Sequence, residues 1–371
     1  MTAAPEAPER DGTAASVRAD MLDCVQSNLA VLADRYHGPG THLALGAVLR
    51  FSPRPGPGGL PTVEPEPQSQ LAAVRELGLV ERARWSQVPS GELASLARTH
   101  GLLYVMADTY DMPWLPYHGQ RHMEHSYLVA DDGGRALVTD AYHSHTPWGI
   151  ASPGQWVMDW AELPPSSLVV RIEPADTGAP PVRPGTDHGD IDAYVAAYAT
   201  HPDRAAALEQ LTTETWLLAR SRRLHAAFLA REGRAAGPET ATHLQRMERL
   251  AEQAFLAMRR VQRGRTEPAR LLDDLAEALR ADRDVFADPE RDRLRAEVTA
   301  TVAGVLDVDP AVVLAVPSLT EIPGFNSFQV VEIVEALEER LGVEFDPEDL
   351  VPENLHRIDD LCSLATSATA R

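Results

Sequence analysis

Residues 118–140 read HGQRHMEHSYLVADDGGRALVTD, and this stretch decides the fold expected for the first half of the chain. Two short apolar runs flank an Asp-Gly pair, which is a strong signal for a β-hairpin. With Asp132 and Gly133 at the centre of the turn, His125 pairs directly with Asp140 on one face, their Cβ atoms about 5 Å apart. A slip of one residue would separate them. The sequence therefore predicts an antiparallel hairpin that presents a histidine beside a carboxylate.

An earlier stretch supplies a cysteine. An apolar periodicity begins after Asp23 and stops at Gly38, which predicts a helix with Asp23 as its N-cap. Cys24 then lies in the first turn, where a helix N-terminus lowers the pKa of a thiol. We expect Cys24 to be a nucleophile, with His125 as its base and Asp140 orienting the imidazole. The simpler alternative is a buried structural cysteine.

Five histidines lie close together in the sequence and raise the alternative of a metal site: His118, His122, His125, His143 and His145. The spacing of the first three suits a metal only on a helix. Two prolines precede the group and a strand signal follows it, so a helix is not expected there. We predict no metal, and His122 remains the alternative candidate for the base.

The C-terminal part contains the sequence GFNSF at residues 324–328, followed by an amphipathic run. One helical stripe of this run is apolar and is expected to face a bundle core: Val330, Val331, Val334, Leu337 and Leu341. Over residues 289–371 the pattern resembles an acyl carrier protein, in which a serine carries a 4'-phosphopantetheine arm. The resemblance implies Ser327 as the attachment residue, with a phosphopantetheinyl transferase and an acyl-loading enzyme as partners. Asn326 stands where that family has aspartate, and the alternative is that Ser327 only begins a helix.

A second resemblance rests on residues 106–140, MADTYDMPWLPYHGQRHMEHSYLVADDGGRALVTD. Together with a cysteine at a helix start, they resemble the papain-like cysteine enzymes. More specifically, residues from about 20 to 285 resemble the family of the butirosin-biosynthesis acyltransferase. The resemblance implies that Cys24 accepts an acyl group from a carrier protein and passes it to a small-molecule amine acceptor, in antibiotic biosynthesis. It also implies His125 as base and Asp140 as orienting residue.

The expected fold class is α+β, with four parts along the chain. Residues 1–18 are expected to form a disordered lead-in, and residues 19–172 a papain-like α+β catalytic domain. After a Pro- and Gly-rich linker at 173–190, residues 191–285 are expected to form an α-helical second domain. Residues 289–371 complete the chain as a four-helix acyl carrier bundle.

Composition narrows the partners and the compartment. The 371 residues carry a net charge of −21, which argues against nucleic acid as a partner. Residues 289–371 hold 17 acidic residues against 6 Arg, so the acidity is concentrated in the carrier part. Two cysteines suit a reducing compartment. With no signal-peptide pattern and no membrane-spanning apolar run, we expect a cytoplasmic protein without a membrane partner.

The functional hypothesis is an acyltransferase that moves an acyl group from a phosphopantetheine thioester, through acyl-Cys24, to an amine. A thioesterase or a macrocyclising enzyme would use the same intermediate, and a peptidase would use the same residues. Outside catalysis, the first part could serve as a scaffold that presents the carrier. The linker near residues 285–290 is short, so a homodimer with trans delivery is the alternative to delivery within one chain.

Overall fold

The computed structural model describes residues 17–180, 182, 184–234, 237–287 and 289–369. The chain divides into two compact units, Met1–Val285 and Phe286–Arg371. The predicted lead-in lies outside the described residues except for its last two. Val17 is buried in the core, and the Arg18 backbone N–H donates to the His42 ring. Val17 and Arg18 are therefore part of the packed structure, although the prediction placed them in the disordered lead-in.

The first unit contains twelve strands among the described residues: β1 Val48–Phe51, β2 Arg54–Pro55, β3 Pro61–Thr62, β4 Leu79–Val88, β5 Leu103–Asp108, β6 Glu124–Asp132, β7 Arg135–Asp140, β8 Ser144–Thr146, β9 Gly149–Ala151, β10 Gly154–Met158, β11 Ser166–Pro174 and β12 Gly185–His188. Six of them form an antiparallel sheet in the order β10-β7-β6-β5-β11-β4. β12 pairs in parallel with β1, so the stretch predicted as a linker at 173–190 contains a strand.

The register of the β6–β7 hairpin differs from the predicted one by two residues. Leu128 pairs with Thr139, and the turn residues are Gly133 and Gly134. Both glycines have positive φ, 59° and 93°, as a two-residue hairpin turn of this hand requires. Asp132 cannot meet that requirement as easily as glycine, so the turn moves one position along. The direct pairing of His125 with Asp140 was therefore wrong.

The helices of the described residues are α1 Cys24–His37, α2 Pro67–Ala72, α3 Ser90–His100, α4 Ile191–Thr200, α5 Arg204–Arg231, α6 Pro238–Val261, α7 Leu271–Val285, α8 Pro289–Leu306, α9 Pro310–Ala315, α10 Ser327–Leu341 and α11 Ile358–Thr369. None of them is long and apolar enough to cross a membrane. α1 has the predicted bounds, with Asp23 as N-cap and Gly38 after its last residue. Its apolar residues pack on β6 and β11 in one hydrophobic core.

Four of these helices, α4 to α7, occupy the region predicted to be helical, and they belong to the same compact unit as the sheet. Two arginines connect helix α5 to other elements of the first unit. Arg222 is fully buried and pairs with Asp282 of α7, while Arg220 donates to the carbonyls of Ala19 and Leu22. These arginines form structural contacts inside the unit.

The second unit contains α8 to α11 around its own core. On α10 the fully buried residues are Ile333 and Leu337, one turn apart. Val330, Val334 and Leu341 of the predicted stripe are partly buried against this core. Val331 is 55% exposed, so its assignment to the core was wrong.

Candidate active site

Cys24 is the first residue of α1 and lies against strand β6. Its Sγ donates a weak hydrogen bond to the Glu124 carbonyl at 3.8 Å, and its own carbonyl accepts from Ser126 Oγ at 2.6 Å. Glu124 and Ser126 are the two neighbours of His125. The helix start that carries the cysteine is thus attached to the strand on both sides of the histidine.

His125 and Asp140 form a buried pair. His125 Nε2 and Asp140 Oδ2 are 2.8 Å apart, and their side chains are 0% and 1% exposed. A carboxylate only accepts, so Nε2 carries the proton, and Nδ1 of a neutral ring is the free acceptor. His125 Nδ1 is buried and has no hydrogen-bond partner within the described residues. The ring is therefore oriented by Asp140 and leaves one nitrogen able to take a proton.

The Asp140 carboxylate accepts further hydrogen bonds that hold it in place. Trp114 Nε1 donates to Oδ2 at 3.0 Å, and the Tyr142 backbone N–H donates to Oδ1 at 2.9 Å. Asn28 Nδ2 adds a longer contact to Oδ1 at 3.4 Å. Burial acts to raise the pKa of Asp140, but His125 and these donors outweigh it, and the pKa is lowered. Asp140 is therefore a charged, fixed acceptor for His125.

The surroundings of Cys24 differ from the expectation for a helix start. Burial raises the pKa of its thiol well above the usual value, and the charges of Asp23, Glu64 and Asp140 raise it further. The expected lowering of this pKa by the helix N-terminus was therefore wrong. A neutral thiol needs a base before it can act as a nucleophile.

Two of the three carboxylates that raise the pKa of Cys24, Asp23 and Glu64, lie in separate segments of the chain. Asp23 caps α1, its Oδ1 accepting from Val25 N and Gln26 N at 2.9 and 2.8 Å. Glu64 follows β3, and buried Glu214 of α5 holds this segment by accepting from Thr62 Oγ1 and Val63 N, both at 2.6 Å. The segment that carries Glu64 is thus fixed to α5.

His122, the alternative base, forms a different pair. Its Nδ1 lies 2.7 Å from Asp108 Oδ2, and its side chain is 72% exposed. Tyr110 stacks on the ring with centroids 4.2 Å apart. The rings of two more of the five histidines, His143 and His145, contact each other edge to face. Over the described ranges, no three His, Cys, Asp or Glu side chains are grouped to hold a metal ion.

The second unit presents Ser327 as the exposed first residue of α10. Asn326 is the N-cap: its Oδ1 accepts from Phe328 N at 3.0 Å and from Gln329 N at 3.4 Å. The asparagine thus caps the helix as the aspartate of the resembled family would. A helix N-terminus favours a phosphate diester, so the geometry fits a phosphopantetheine arm.

The comparison with protein families agrees with this reading. Residues 296–364 match the family described as phosphopantetheine attachment site. The second unit is therefore an acyl carrier domain, and its cofactor is 4'-phosphopantetheine, carried covalently on a serine. A comparison with curated proteins gives no match. The match leaves the first unit outside its range, and the papain-like acyltransferase family is not shown by it.

Two residues that hold the pair in place were not predicted from sequence. Neither Trp114 nor Asn28 was assigned a role from the sequence. The sequence did offer two signals: Asn28 is a polar residue within the apolar pattern of α1, and Trp114 lies between two prolines. Neither signal identifies the residue to which the side chain bonds.

Proposed function

We propose that this chain is a cysteine-dependent acyltransferase fused to its own carrier domain, with Cys24 as nucleophile, His125 as base and Asp140 as orienting residue. The observation that carries the proposal is the buried His125–Asp140 pair with an unpartnered Nδ1, beside a cysteine at a helix start. The carrier domain of the same chain supplies the link to acyl thioesters.

Ser327 is the proposed attachment residue. Residues 296–364 contain three serines. The Ser318 hydroxyl shares a hydrogen bond with Thr320, and the Ser363 hydroxyl donates to the Asp359 carbonyl. Ser327 is the exposed one at the start of the acidic helix. Once attached, the group supplies a flexible arm whose terminal thiol holds acyl groups as thioesters.

Acylation begins with transfer of the thiol proton from Cys24 Sγ to His125 Nδ1 as the sulfur attacks the thioester carbonyl. The Cys24 backbone N–H is one proposed donor to the oxyanion that develops. The bond to the donor sulfur then breaks, and the leaving thiolate takes the proton back from His125. Asp140 stabilises the imidazolium formed in between. The products are acyl-Cys24 and the free donor thiol.

Transfer follows the same path in reverse. The acceptor amine attacks the acyl carbon while His125 Nδ1 accepts its proton, and the bond to Sγ breaks. The Cys24 sulfur recovers the proton from His125, and an amide leaves the site. The amine acceptor, and a place in antibiotic biosynthesis, rest on the resemblance to the butirosin-biosynthesis acyltransferase family.

The central experiment compares wild type with Cys24→Ala after phosphopantetheinyl transfer and charging with an acetyl thioester. Intact mass should show one arm, absent from Ser327→Ala. Peptide mapping should place a second acetyl group on Cys24 of the wild type. Acetylation elsewhere that is unaffected by Cys24→Ala would remove the nucleophile from the proposal. Adding an amine should release an amide, whereas free acetate alone would favour the thioesterase.

A mixing experiment tells whether the carrier domain delivers its acyl group to Cys24 of the same chain or of another copy. Charged Cys24→Ala chains provide a donor without a nucleophile, and Ser327→Ala chains provide the reverse. Acetyl transfer between them at dilute concentration would indicate trans delivery. Transfer only within wild-type chains would indicate delivery in cis.

A further inference from the structure

Asn28 lies four residues after Cys24 and is completely buried. It therefore sits one helical turn further along the same face of α1. Its Nδ2 donates to the Ser126 carbonyl at 2.8 Å and contacts Ser126 Oγ at 3.1 Å. Its Oδ1 accepts from the Ala141 backbone N–H at 3.1 Å. One side chain thus joins the cysteine helix to the residues that follow His125 and Asp140.

Ser126 completes the connection. Its hydroxyl donates to the Cys24 carbonyl at 2.6 Å and is completely buried. Tyr104 of β5 supports the next residue, its hydroxyl donating to the Val25 carbonyl at 3.2 Å. The first turn of α1 therefore rests on buried hydrogen-bond donors from two adjacent strands.

We propose that Asn28, acting with Ser126, is a positioning residue that sets the distance between Cys24 Sγ and His125 Nδ1. The inference rests on the proposed function, because it assigns these residues to the proton transfer within that site. Their hydrogen bonds hold α1 in one position along the sheet, through Ser126 of β6 and Ala141, which follows β7. Apolar packing of α1 alone permits small sliding, whereas these directional bonds do not. A displacement of about 1 Å can lower the rate of such a site on the order of 100-fold.

The test uses the full-length chain and iodoacetamide as a probe of the Cys24 thiol. The second-order rate of Cys24 alkylation is followed from pH 6 to 10 by peptide mapping, which separates Cys24 from Cys362. His125→Ala defines the part of the rate that depends on the base. We expect Asn28→Ala to lose that part, with a fall of at least about tenfold near neutral pH.

Ser126 offers a matched pair of variants. Thr and Val have nearly the same shape, and only Thr keeps a hydroxyl that can reach the Cys24 carbonyl. We expect Ser126→Thr to retain the His125-dependent rate and its pH profile, and Ser126→Val to lose both. If Asn28→Ala does not fold, as judged by circular dichroism and urea unfolding, the Ser126 pair decides alone.

The outcomes separate this inference from the function on which it rests. If the wild-type rate does not respond to His125→Ala, the role of His125 as base is wrong and the positioning role is wrong with it. If the wild-type rate depends on His125 and both Asn28→Ala and Ser126→Val leave it unchanged, only the positioning role is overturned.

Discussion

Replacing Asp140 with asparagine should disable the proposed base, His125, although the two side chains at position 140 have almost the same shape. Asp140 Oδ2 accepts from His125 Nε2 and Trp114 Nε1, and Oδ1 accepts from Tyr142 N and Asn28 Nδ2. Asparagine has one oxygen, so its NH2 group must face one of these two pairs of donors. Asp140→Asn therefore cannot satisfy all four groups in either orientation.

The two orientations have different consequences for His125. If the NH2 faces His125 and Trp114, the ring can accept from it only by moving its proton to Nδ1, which then cannot take the thiol proton. If the NH2 faces the other pair, Tyr142 N–H loses its acceptor, and the imidazolium loses its counter-charge. Either way, one or two buried donors are left unpaired, at a cost of about 1–3 kcal/mol each. A histidine held in the wrong tautomer lowers the rate by on the order of 10⁴-fold in serine proteases.

The assay is the rate at which Cys24 becomes acetylated from the charged carrier, measured by intact mass, with stability measured in urea. Asp108→Asn is the matched control, because Asp108 also pairs with a histidine but lies at the exposed pair with His122. We expect Asp140→Asn to acetylate at least about 10³-fold more slowly and Asp108→Asn to stay within about threefold of wild type. An Asp140→Asn chain that is folded and nearly fully active would refute the assignment. A larger loss in Asp108→Asn would move the base role to His122.

Three further predictions concern stability in urea. Burial raises the pKa of Glu214 despite its hydrogen bonds. The unfolding free energy of wild type relative to Glu214→Gln should therefore fall as pH rises from the ordinary glutamate pKa, about 4.3, toward the raised value. An equal pH slope in both chains would contradict this prediction. Arg222→Met should cost about 3–5 kcal/mol, because the buried carboxylate of Asp282 keeps His243 but loses its arginine. A cost below about 1 kcal/mol would show that the pair contributes little. In the carrier unit, Ile333→Ala should cost about 2–5 kcal/mol because Ile333 is buried. Phe328 is 80% exposed, so Phe328→Ala should change the stability by no more than about 0.5 kcal/mol. The opposite order would refute the description of the α10 core.

Local signals were sufficient for the elements whose ends are set by neighbouring residues. α1 begins after Asp23 and stops at Gly38 because the carboxylate caps the first turn and the glycine takes a positive φ of 96°. The start of α10 at Ser327 follows in the same way from the Asn326 cap. These features depend on a few adjacent residues, so the sequence alone predicts them well.

Long-range register is where the sequence was insufficient. Two candidate turns, Asp132-Gly133 and Gly133-Gly134, overlap in the hairpin, and the choice between them shifts every cross-strand pair by two positions. Because side chains alternate with a period of two, the shift keeps His125 and Asp140 on the same face. They therefore meet diagonally through a hydrogen bond, although the predicted pairing was wrong. Val331 shows a second limit of sequence analysis. An apolar stripe along a helix does not tell which residues at its margins are buried by neighbouring helices.

The protonation state of Cys24 required the tertiary structure for a similar reason. The helix start favours a thiolate, but burial and the carboxylates of Asp23, Glu64 and Asp140 outweigh that effect and raise the thiol pKa. Asp23 is the very residue that caps the helix, so the feature that starts α1 also opposes a charged sulfur. A resting thiolate–imidazolium pair would have to form among these negative charges. A neutral thiol that gives its proton to His125 as it attacks avoids that state, and the buried, unpartnered Nδ1 is suited to this role. If this is correct, the alkylation rate of Cys24 in His125→Ala should continue to rise above the pH at which an ordinary cysteine has reached its plateau.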